Sequence, residues 1–543
     1  MRRMAEFDYI IVGAGSAGCV LANRLSAERD VSVLLLEAGG EARALALKIP
    51  LYAPKLWFGH QYGWGYDGEV EPHLGGRFIP VPRGKVLGGS SAINGMLYAR
   101  GHPRDYDQWR QLGNAGWSYP DILPYYRRAE TDWRGEGVYH GGTGPLKVSR
   151  HDRRYKMYDL VRAAAREAGH PETEDFHGAS PEGFGVPDFT TIGGRRGSTA
   201  VTFLKPARGR PNLRVMTHAQ AMRVMMEKGR AVGVEYRRDG ALAVARARRE
   251  VILCGGAINS PHLLMLSGIG PAEELRRHGI TPLLDLSGVG RNLQDHASTG
   301  IDVVLNRPVS FVNQLRADRV ARSLARWWFT GTGPLAGLPV TGMLFARSRD
   351  GLERPDLQFL ISPVRLFANL WFPVWRKADG HFLSIRAVLL HPESRGWIGL
   401  RSADPLAKPR ITFNLLDRPE DLPPLRAAIR MSRDLVRHGA LAGLVDREAS
   451  PGDPLVTDEQ LDDFIRSDVR TAFHAVGTCR MGQGADAVVD ERLQVRGIEG
   501  LRVVDASVMP TIIGGNTNAP TIMIAEKASD MILGRPPLEP AEI

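Results

Sequence analysis

The sequence contains little cysteine. Its 543 residues include only Cys19, Cys254 and Cys479, which lie far apart and match no metal-ligand spacing. This pattern excludes a disulfide framework and a cysteine-ligated metal centre, and it is typical of a reducing compartment. We therefore predict no metal site and a cytoplasmic protein.

Long apolar runs are also absent. Two uncharged windows, residues 327–346 and 507–525, are long enough to cross a membrane, but both are interrupted by glycine and proline. Neither is typical of a transmembrane helix. Residues 1–6 contain two arginines and no apolar segment, so the sequence predicts no signal peptide.

The charge balance excludes little by itself. There are 70 Lys+Arg against 60 Asp+Glu, a net charge of +10. The basic residues are scattered and no nucleic-acid-binding motif is present, so we predict no nucleic-acid partner. A weak attraction to an anionic membrane surface remains open. The length and the 43% hydrophobic content fit a globular protein of two or more domains.

The best-defined motif lies near the N-terminus. An apolar run ending at Val12 meets Gly13-Ala14-Gly15-Ser16-Ala17-Gly18, and a helical pattern follows through Leu25. A second apolar run, residues 31–36, ends on Glu37 and Ala38. In such a unit the glycines make a tight turn against which a pyrophosphate lies at the helix N-terminus, and the acid binds ribose hydroxyls. The motif predicts an FAD or NAD site, and the acid disfavours NADP.

A second candidate site is residues 82–95, which contain a double glycine followed by paired serines. Backbone N–H groups and hydroxyls concentrated in this way suit a phosphate or the edge of a flavin ring. An ordinary turn before a helix explains the same residues equally well.

The remaining pattern predicts two kinds of structure. Strands are expected at residues 213–216, 221–226 and 231–236 and in the run 250–257, which ends in small residues, and helices over 102–135, 260–266 and 521–532. Residues 140–198 predict loops with one helix over 158–168. From residue 309 to 463, alternating apolar residues predict antiparallel strands at 357–361, 382–390 and 397–401, with an amphipathic helix over 423–438.

Together these stretches resemble the glucose–methanol–choline (GMC) family of FAD-dependent oxidoreductases, in its alcohol and choline dehydrogenase-like branch. The likeness is carried by residues 84–107, 256–270, 288–296, 474–482 and 516–521. It implies an α/β protein with a discontinuous Rossmann-type FAD-binding domain and an α+β substrate domain built on an antiparallel sheet. The expected segments are 1–155, 198–308 and 464–543 for the FAD-binding domain, and 156–197 and 309–463 for the substrate domain.

The resemblance also selects FAD over NAD. The sequence supports this separately, because the chain has a single strand-linked G-x-G-x-x-G with an acid. Some family members bind FAD covalently through a histidine just after the paired serines. Ala92 stands there, so we predict non-covalent FAD. The predicted cofactor-binding residues are Gly13, Gly15, Ser16, Ala17, Gly18, Glu37, Ala38, Arg83, Val86, Gly88, Gly89, Ser91, Asn94, Gly95, Ala221, Gly255, Asp505, Ala506, Thr517 and Asn518.

The resemblance implies the catalytic residues as well. Oxidising an alcohol requires a base for the hydroxyl proton, and histidine suits that role near neutral pH. His474 occupies the family's active-site histidine position, and Asn516 its partner position, where an amide could hold the substrate oxygen. Asn518 lies near enough in sequence to compete for this role, and we predict that it contacts the flavin pyrimidine.

The predicted function is oxidation of a non-sugar primary alcohol, aliphatic or aryl, to the aldehyde, with electrons passed to a quinone or another acceptor. Choline is less favoured because no acid can be assigned to its quaternary ammonium. Alternatives are an O2-using alcohol oxidase of the same family, or a non-redox lyase or decarboxylase on the same fold. Aromatic residues crowd 327–329 and 366–375, which predicts either interface packing or an apolar patch that contacts the inner membrane face.

Overall fold

A seven-stranded sheet is built around the N-terminal strand of the computed structural model, which describes residues 5–150 and 157–543. The strands in spatial order are Leu213–Met216, Val33–Leu36, Ala5–Val12, Ala241–Leu253, Arg230–Arg238 and Ala219–Glu227, with Leu501–Val503 beside Ala241–Leu253. The strands around Ala5–Val12 run parallel. Ile10, Ile11 and Leu34 are fully buried, as expected where helices cover both faces of a parallel sheet.

The parallel strands of this first sheet end at one common edge. Val12, Leu36, Met216, Leu253 and Val503 are their last residues. Loops that follow the carboxyl ends of parallel strands form the ligand-binding crevice of a doubly wound sheet. The edge therefore positions the glycine turn, Glu37, Gly255 and Asp505 together.

The second large sheet is antiparallel throughout. Its order is Val445–Ser450, Ala297–Leu305, Phe382–Leu389, Leu357–Ser362, Gly342–Ala346 and Gly183–Gly185, with Arg470–Thr471 beside Ala297–Leu305. The sheet thus starts before the predicted change at residue 309 and takes in a strand beyond residue 463. Ala297–Leu305 is buried along most of its length, including Ser298 and Thr299, so its sequence lacks the apolar–polar alternation that marks the later strands.

Shorter elements complete the described residues. The remaining strands are Tyr66–Val70, Phe78–Val81, Leu97–Tyr98, Glu130–Asp132, Leu146–Arg150, Asp188–Phe189, Thr191–Ile192, Arg195–Arg196, Ile269–Gly270, Leu284–Asp285, Trp397–Gly399 and Arg410–Thr412. The α-helices are Ser16–Leu25, Ala53–Phe58, Pro103–Gln111, Tyr119–Ala129, Tyr158–Glu167, Lys205–Ala207, Gly256–Leu266, Ala272–Arg277, Ala317–Thr330, Leu422–Leu435, Gly439–Ala442, Asp458–Asp468 and Asn518–Leu533.

The elements confirm the predicted α/β class and correct some local predictions. The region predicted as loops over residues 140–198 also contains short strands, which are too brief to show a periodicity. The predicted absence of a signal peptide and the predicted boundary at 155 involve residues 1–4 and 151–156, which lie outside the described residues. Among the described helices, none has the length and apolar character needed to cross a membrane.

The C-terminal helix Asn518–Leu533 ties the end of the chain to its beginning. It packs against Ser16–Leu25 and Tyr119–Ala129. Glu526, fully buried in this helix, accepts charged hydrogen bonds from Arg24 at 2.7 Å and Arg128 at 2.8 Å. Removing both arginines would leave the buried charge of Glu526 unpaired, which is strongly destabilising. This triad fixes the middle of the helix against Ser16–Leu25 and Tyr119–Ala129.

Candidate active site

A cavity of about 1280 Å³ is lined by the carboxyl edge of the first sheet and by residues of the second sheet. Ligand cavities commonly enclose roughly 300–1,000 Å³, so this one has room for a large cofactor and a small substrate together. We call the part formed by the glycine turn, Glu37, Gly255 and Asp505 the cofactor end. We call the part formed by His474, Asn516 and Gln358 the reacting end.

The glycine turn at the cofactor end leaves no room for side chains. Gly13 has φ +103°, and a Cβ there would lie 2.5 Å from the carbonyl oxygen of Cys254. Gly89 has φ +51°, and its Cβ would lie 2.7 Å from the Cα of Gly15. Helix Ser16–Leu25 starts at this point with no acidic residue in its first turn. The bare backbone and the helix N-terminus fit the diphosphate of a dinucleotide.

Glu37 braces this turn from the neighbouring strand. Its carboxylate accepts the N–H of Ala14 at 2.9 Å and the N–H of Gly39 at 2.8 Å. Burial raises its pKa to about 7, against these two donors and Lys85, which lower it. The residue lines the cavity, so ribose binding by Glu37 stays a prediction that its position allows.

Asp505 organises the helix that faces the cofactor end. Its Oδ2 accepts from the N–H of Gly256 at 2.8 Å and from the hydroxyl of Ser260 at 2.6 Å, while its Oδ1 accepts the N–H of Ser507 at 2.8 Å. Helix Gly256–Leu266 therefore starts at Gly256 rather than at the predicted Ser260. This contact spans about half the chain, so no local pattern could show it.

Most predicted cofactor residues lie in the cavity wall. Those that line it are Gly13, Gly15, Ser16, Ala17, Glu37, Ala38, Arg83, Gly89, Asn94, Gly95, Ala221, Gly255, Asp505, Ala506, Thr517 and Asn518. Gly18, Val86, Gly88 and Ser91 do not line the cavity, and their contact with the cofactor stays a prediction. In this structure they support the wall from behind. The Ser91 hydroxyl donates to the Gly88 carbonyl at 2.6 Å, and a Cβ on Gly18 would collide with the Gly13 carbonyl.

His474 lies at the reacting end, just beyond strand Arg470–Thr471, and its ring lines the cavity. Its backbone N–H donates to Asp295 Oδ1 at 2.8 Å. Burial, followed by the nearby His296 and Arg83, holds the pKa of His474 well below its usual range. The imidazole is therefore neutral and carries one proton to place on one of its two nitrogens.

His296 decides where that proton lies. Its Nε2 faces the carbonyl of Ile513 at 3.0 Å, and because a carbonyl can only accept, Nε2 must carry the proton. Burial lowers the pKa of His296 to about 3, so this ring is also neutral and its Nδ1 is an acceptor. Since the two Nδ1 atoms lie 2.9 Å apart, His474 donates from Nδ1. The lone pair of His474 is thereby left on Nε2.

Asn516 faces that lone pair. Its Nδ2 lies 2.9 Å from His474 Nε2 and donates to it. Its Oδ1 lies 3.5 Å from Nε2 of Gln358, which orients the amide with nitrogen toward the histidine. Without substrate this donor and acceptor satisfy each other. A hydroxyl placed between them would replace the hydrogen bond, with its proton directed at Nε2 and its oxygen accepting from Nδ2 of Asn516.

Asn518, the predicted competitor, is engaged elsewhere. Its Oδ1 accepts from the hydroxyl of Ser16 at 2.7 Å, so it joins the C-terminal helix to the glycine turn. It lines the cavity without contacting the His474 ring among the hydrogen bonds of the described residues. Its predicted contact with the flavin pyrimidine stays a prediction.

Three side chains that shape the site were missed by sequence reasoning, namely His296, Arg196 and Gln358, whose contact with Asn516 is given above. His296 ends the landmark run at residues 288–296, so its position gave a signal, but its role depends on a backbone carbonyl far along the chain. Arg196 is fully buried, donates to the carbonyl of Leu47 at 3.1 Å and to Asn94 Oδ1 at 2.8 Å, and burial alone lowers its pKa to about 9. It fixes the loop that carries Asn94.

A cluster of acids away from the cavity has the spacing of a metal site but a different electrostatic setting. Glu130, Asp132 and His140 bring potential ligand atoms within 4.8 Å of one another. Arg100 pairs with Glu130, and Arg134 pairs with Asp132 at 3.1 Å. The acids are thus already neutralised, and the cluster is a buried ion-pair network.

The predicted aromatic crowding separates into two groups. Trp327 is fully buried and donates to the carbonyl of Gly194 at 2.7 Å, so it packs in the core. Trp328 and Phe329 are exposed. Phe58, in the cavity wall, contacts Phe473 next to His474 at a centroid distance of 6.1 Å. Core packing therefore explains Trp327, while contact of the exposed Trp328 and Phe329 with a membrane stays a prediction.

The chain is similar to known proteins over nearly its whole length. Two family profiles, both described as GMC oxidoreductase, match residues 7–298 and 392–525. An oxygen-dependent choline dehydrogenase of Chromohalobacter salexigens is 44% identical over 100% of this chain and 98% of its own length. The mitochondrial choline dehydrogenase of Mus musculus is 43% identical over 98% of this chain and 90% of its own. The crystal structure of pyridoxine 4-oxidase from Mesorbium loti aligns with a TM-score of 0.88 and 31% identity, covering 98% of this chain and all of that one.

Proposed function

Because the chain belongs to the GMC oxidoreductase family and is an FAD-dependent enzyme acting on CH–OH donors, we propose that it oxidises a non-sugar primary alcohol to the aldehyde. The electrons pass to a quinone or another acceptor. The observation that supports this most is the His474–Asn516 pair at 2.9 Å in the cavity wall, with the proton of His474 held on the opposite nitrogen.

The proposed mechanism assigns each polar atom one task. His474 Nε2 accepts the hydroxyl proton of the substrate, and Asn516 donates an N–H to the same oxygen. FAD, when bound, supplies the hydride acceptor of the reaction. His474 keeps donating from Nδ1 to His296 throughout, so the proton that His474 takes up goes to Nε2. The protein therefore orients the base before substrate binds, which lowers the reorganisation needed during the reaction.

The cavity charges favour an uncharged alcohol. Each acid that lines the cavity away from the cofactor end already has an arginine partner. The pairs are Asp302 with Arg365 at 3.0 Å, Asp468 with Arg386 at 2.9 Å and Asp379 with Arg376 at 3.7 Å. A quaternary ammonium would have to compete with these arginines for its counter-charge. An aliphatic or aryl alcohol has no such requirement.

Choline is the second candidate, because two relatives that align over nearly the whole chain are named choline dehydrogenases. Trp57, Phe58 and Phe473 line the cavity and could bind a quaternary ammonium through their ring faces. The pyridoxine 4-oxidase neighbour likewise supports O2 as an alternative acceptor. A lyase or decarboxylase reaction is less favoured because it has no need for the oriented His474–Asn516 pair.

Anaerobic bleaching of the bound flavin tests the proposal. The purified enzyme is mixed without oxygen with 1-hexanol, benzyl alcohol, choline and glucose, and the flavin absorbance is followed. We expect rapid bleaching by the first two alcohols and slow or no bleaching by glucose. Fastest bleaching by choline would transfer the proposal to choline, and no bleaching by any alcohol would contradict alcohol oxidation. Peroxide release against dye reduction with the best alcohol then distinguishes O2 from other acceptors.

A further inference from the structure

Large apolar side chains are exposed at the mouth of the cavity. Residues 365–379, called here the mouth loop, contribute Leu366, Phe367 and Leu370 to the cavity wall. The same loop exposes Val374 to 87% and Trp375 to 67%. Monomeric soluble proteins rarely expose contiguous apolar patches of this kind without a binding partner.

The tip of the mouth loop is held outward. Phe372 and Arg376 exchange backbone N–H···O hydrogen bonds at 3.0 Å in both directions, which closes a tight hairpin over Pro373, Val374 and Trp375. The rings of Phe372 and Trp375 lie 5.2 Å apart. Because the backbone is paired at the base of the hairpin, its apolar tip is a fixed protrusion.

Helix Ala317–Thr330 extends this apolar rim. The N–H of Ala317 donates to the carbonyl of Trp371 at 2.9 Å, which joins the helix to the mouth loop. Val320 and Leu324 line the cavity from the helix, while Phe329 near its end is 84% exposed. The helix therefore faces the cavity with one side and carries exposed apolar groups on another.

Basic residues accompany the apolar ones. Within residues 5–150 and 157–543, no acid forms an ion pair with Lys55, Arg319, Arg326 or Lys377. These cations lie on the mouth loop, on helix Ala317–Thr330 and on the neighbouring helix Ala53–Phe58. Exposed aromatic and aliphatic tips flanked by unpaired cations have the composition of a surface that binds anionic lipid.

We propose that the mouth loop and helix Ala317–Thr330 dock the protein on an anionic lipid bilayer, with the tip at Val374 and Trp375 inserted among the lipids. A bilayer suits the surface better than a second copy of the chain, because the uncompensated positive charges would face one another in a dimer. An aromatic path leads inward from the surface. Phe367 contacts Phe58 at a centroid distance of 5.3 Å, and Phe58 contacts Phe473 beside His474. Docking therefore opens the cavity toward the lipid phase.

Vesicle flotation tests the proposal without any turnover. The FAD-loaded protein is mixed with vesicles of phosphatidylcholine, alone or containing about a quarter phosphatidylglycerol. We expect flotation with the anionic vesicles and little with the neutral ones. The double substitution Val374→Ser and Trp375→Ser should reduce the partition coefficient more than tenfold. Arg326→Gln and Lys377→Gln should reduce it about fivefold for each charge removed.

Matched controls come from exposed apolar residues elsewhere. Leu242 and Phe78 are 63% and 64% exposed, so Leu242→Ser and Phe78→Ser should leave flotation unchanged. Neither Val374 nor Trp375 lines the cavity, so their double variant should oxidise a short water-soluble alcohol with a soluble dye at the parent rate.

Three outcomes would overturn the proposal. The parent protein could fail to float with anionic vesicles, or the double variant could float as well as the parent. Alternatively, the parent could sediment as a dimer that the double substitution dissociates, which would assign the surface to a second copy of the chain. Because flotation involves no alcohol, a failed alcohol screen would leave this test intact.

Discussion

The two ends of the cavity are built from different kinds of atom. The cofactor end consists mainly of backbone from one contiguous turn, Gly13 to Gly18, braced by Glu37. The reacting end consists of side chains from three separate parts of the chain, Gln358, His474 and Asn516, with His296 behind His474. The first end depends on the absence of side chains, and the second on the exact protonation of two rings. Their variants should therefore fail in different ways.

The largest expected effect is at the cofactor end. Gly13→Ala would force a Cβ to 2.5 Å from the Cys254 carbonyl at φ +103°, where L-residues are strained as well. We expect loss of bound flavin and a lower Tm, measured by the flavin-to-protein absorbance ratio and by thermal unfolding. Gly229→Ala is the matched control, because Gly229 has φ +81° but no neighbour within 4 Å of its Cβ. A Gly13→Ala protein with full flavin content would contradict the close-approach argument.

An intermediate effect is expected behind the base. His296→Leu removes the acceptor that keeps the proton of His474 on Nδ1, so both tautomers become populated. We expect flavin reduction by the best alcohol to slow about 10- to 100-fold, as for other residues that orient a functional histidine, with flavin content unchanged. His296→Asn can still offer an oxygen to His474 Nδ1 and should recover part of the rate. Equal rates for the Leu and Asn variants would show that His296 only fills space.

The smallest effect concerns stability in acid. The pKa of His296 is lowered by burial from 6.5 to about 3, so below pH 6.5 the unfolded chain binds a proton that the folded chain does not. The free energy of unfolding should therefore lose nothing to His296 above pH 6.5 and should decrease as the pH falls below 6.5. His296→Asn should remove about 1.4 kcal/mol of that loss per pH unit, measured by urea unfolding from pH 7 to pH 4.5.

His140 supplies a control of opposite sign in the ion-pair network. Burial lowers the pKa of His140, but the hydrogen bonds to Asp175 and Glu130 outweigh burial and raise this pKa from 6.5 to about 9. The stabilisation of the fold by charged His140 is therefore fully present below pH 6.5 and is lost as the pH rises through about 9. His140→Gln should therefore alter the alkaline side of the profile and leave the acid slope unchanged. An acid slope that His296→Asn does not alter would contradict the neutral buried ring.

The difference between the cofactor end and the reacting end also explains which parts of the structure the sequence could predict. The glycine turn and its flanking strands are encoded by neighbouring residues, so Ser16–Leu25 and Val33–Leu36 were predicted closely. His474 and Asn516 were located through a family pattern, and the structure places them 2.9 Å apart. Their catalytic roles remain predictions.

Other features depend on contacts that no local pattern contains. Helix Gly256–Leu266 begins early because Asp505 caps it from far along the chain. Ala297–Leu305 was not separated from the first sheet because burial removed its alternation. The tautomer of His474 depends on the Ile513 carbonyl acting through His296, and the role of Gln358 depends on which strand faces the cavity. Each of these is a property of packing rather than of sequence spacing.

Rapid mixing of the His474→Ala enzyme with alcohol under anaerobic conditions tests the central claim most directly. The matched control is His262→Ala, since His262 is also buried and lines the cavity, on helix Gly256–Leu266. We expect the His474 variant to retain FAD but to reduce it about 10²- to 10⁴-fold more slowly, the range for loss of a general base, and the control to reduce it near the parent rate. Parent-like flavin reduction by the His474→Ala enzyme would contradict the assignment of His474 as the base.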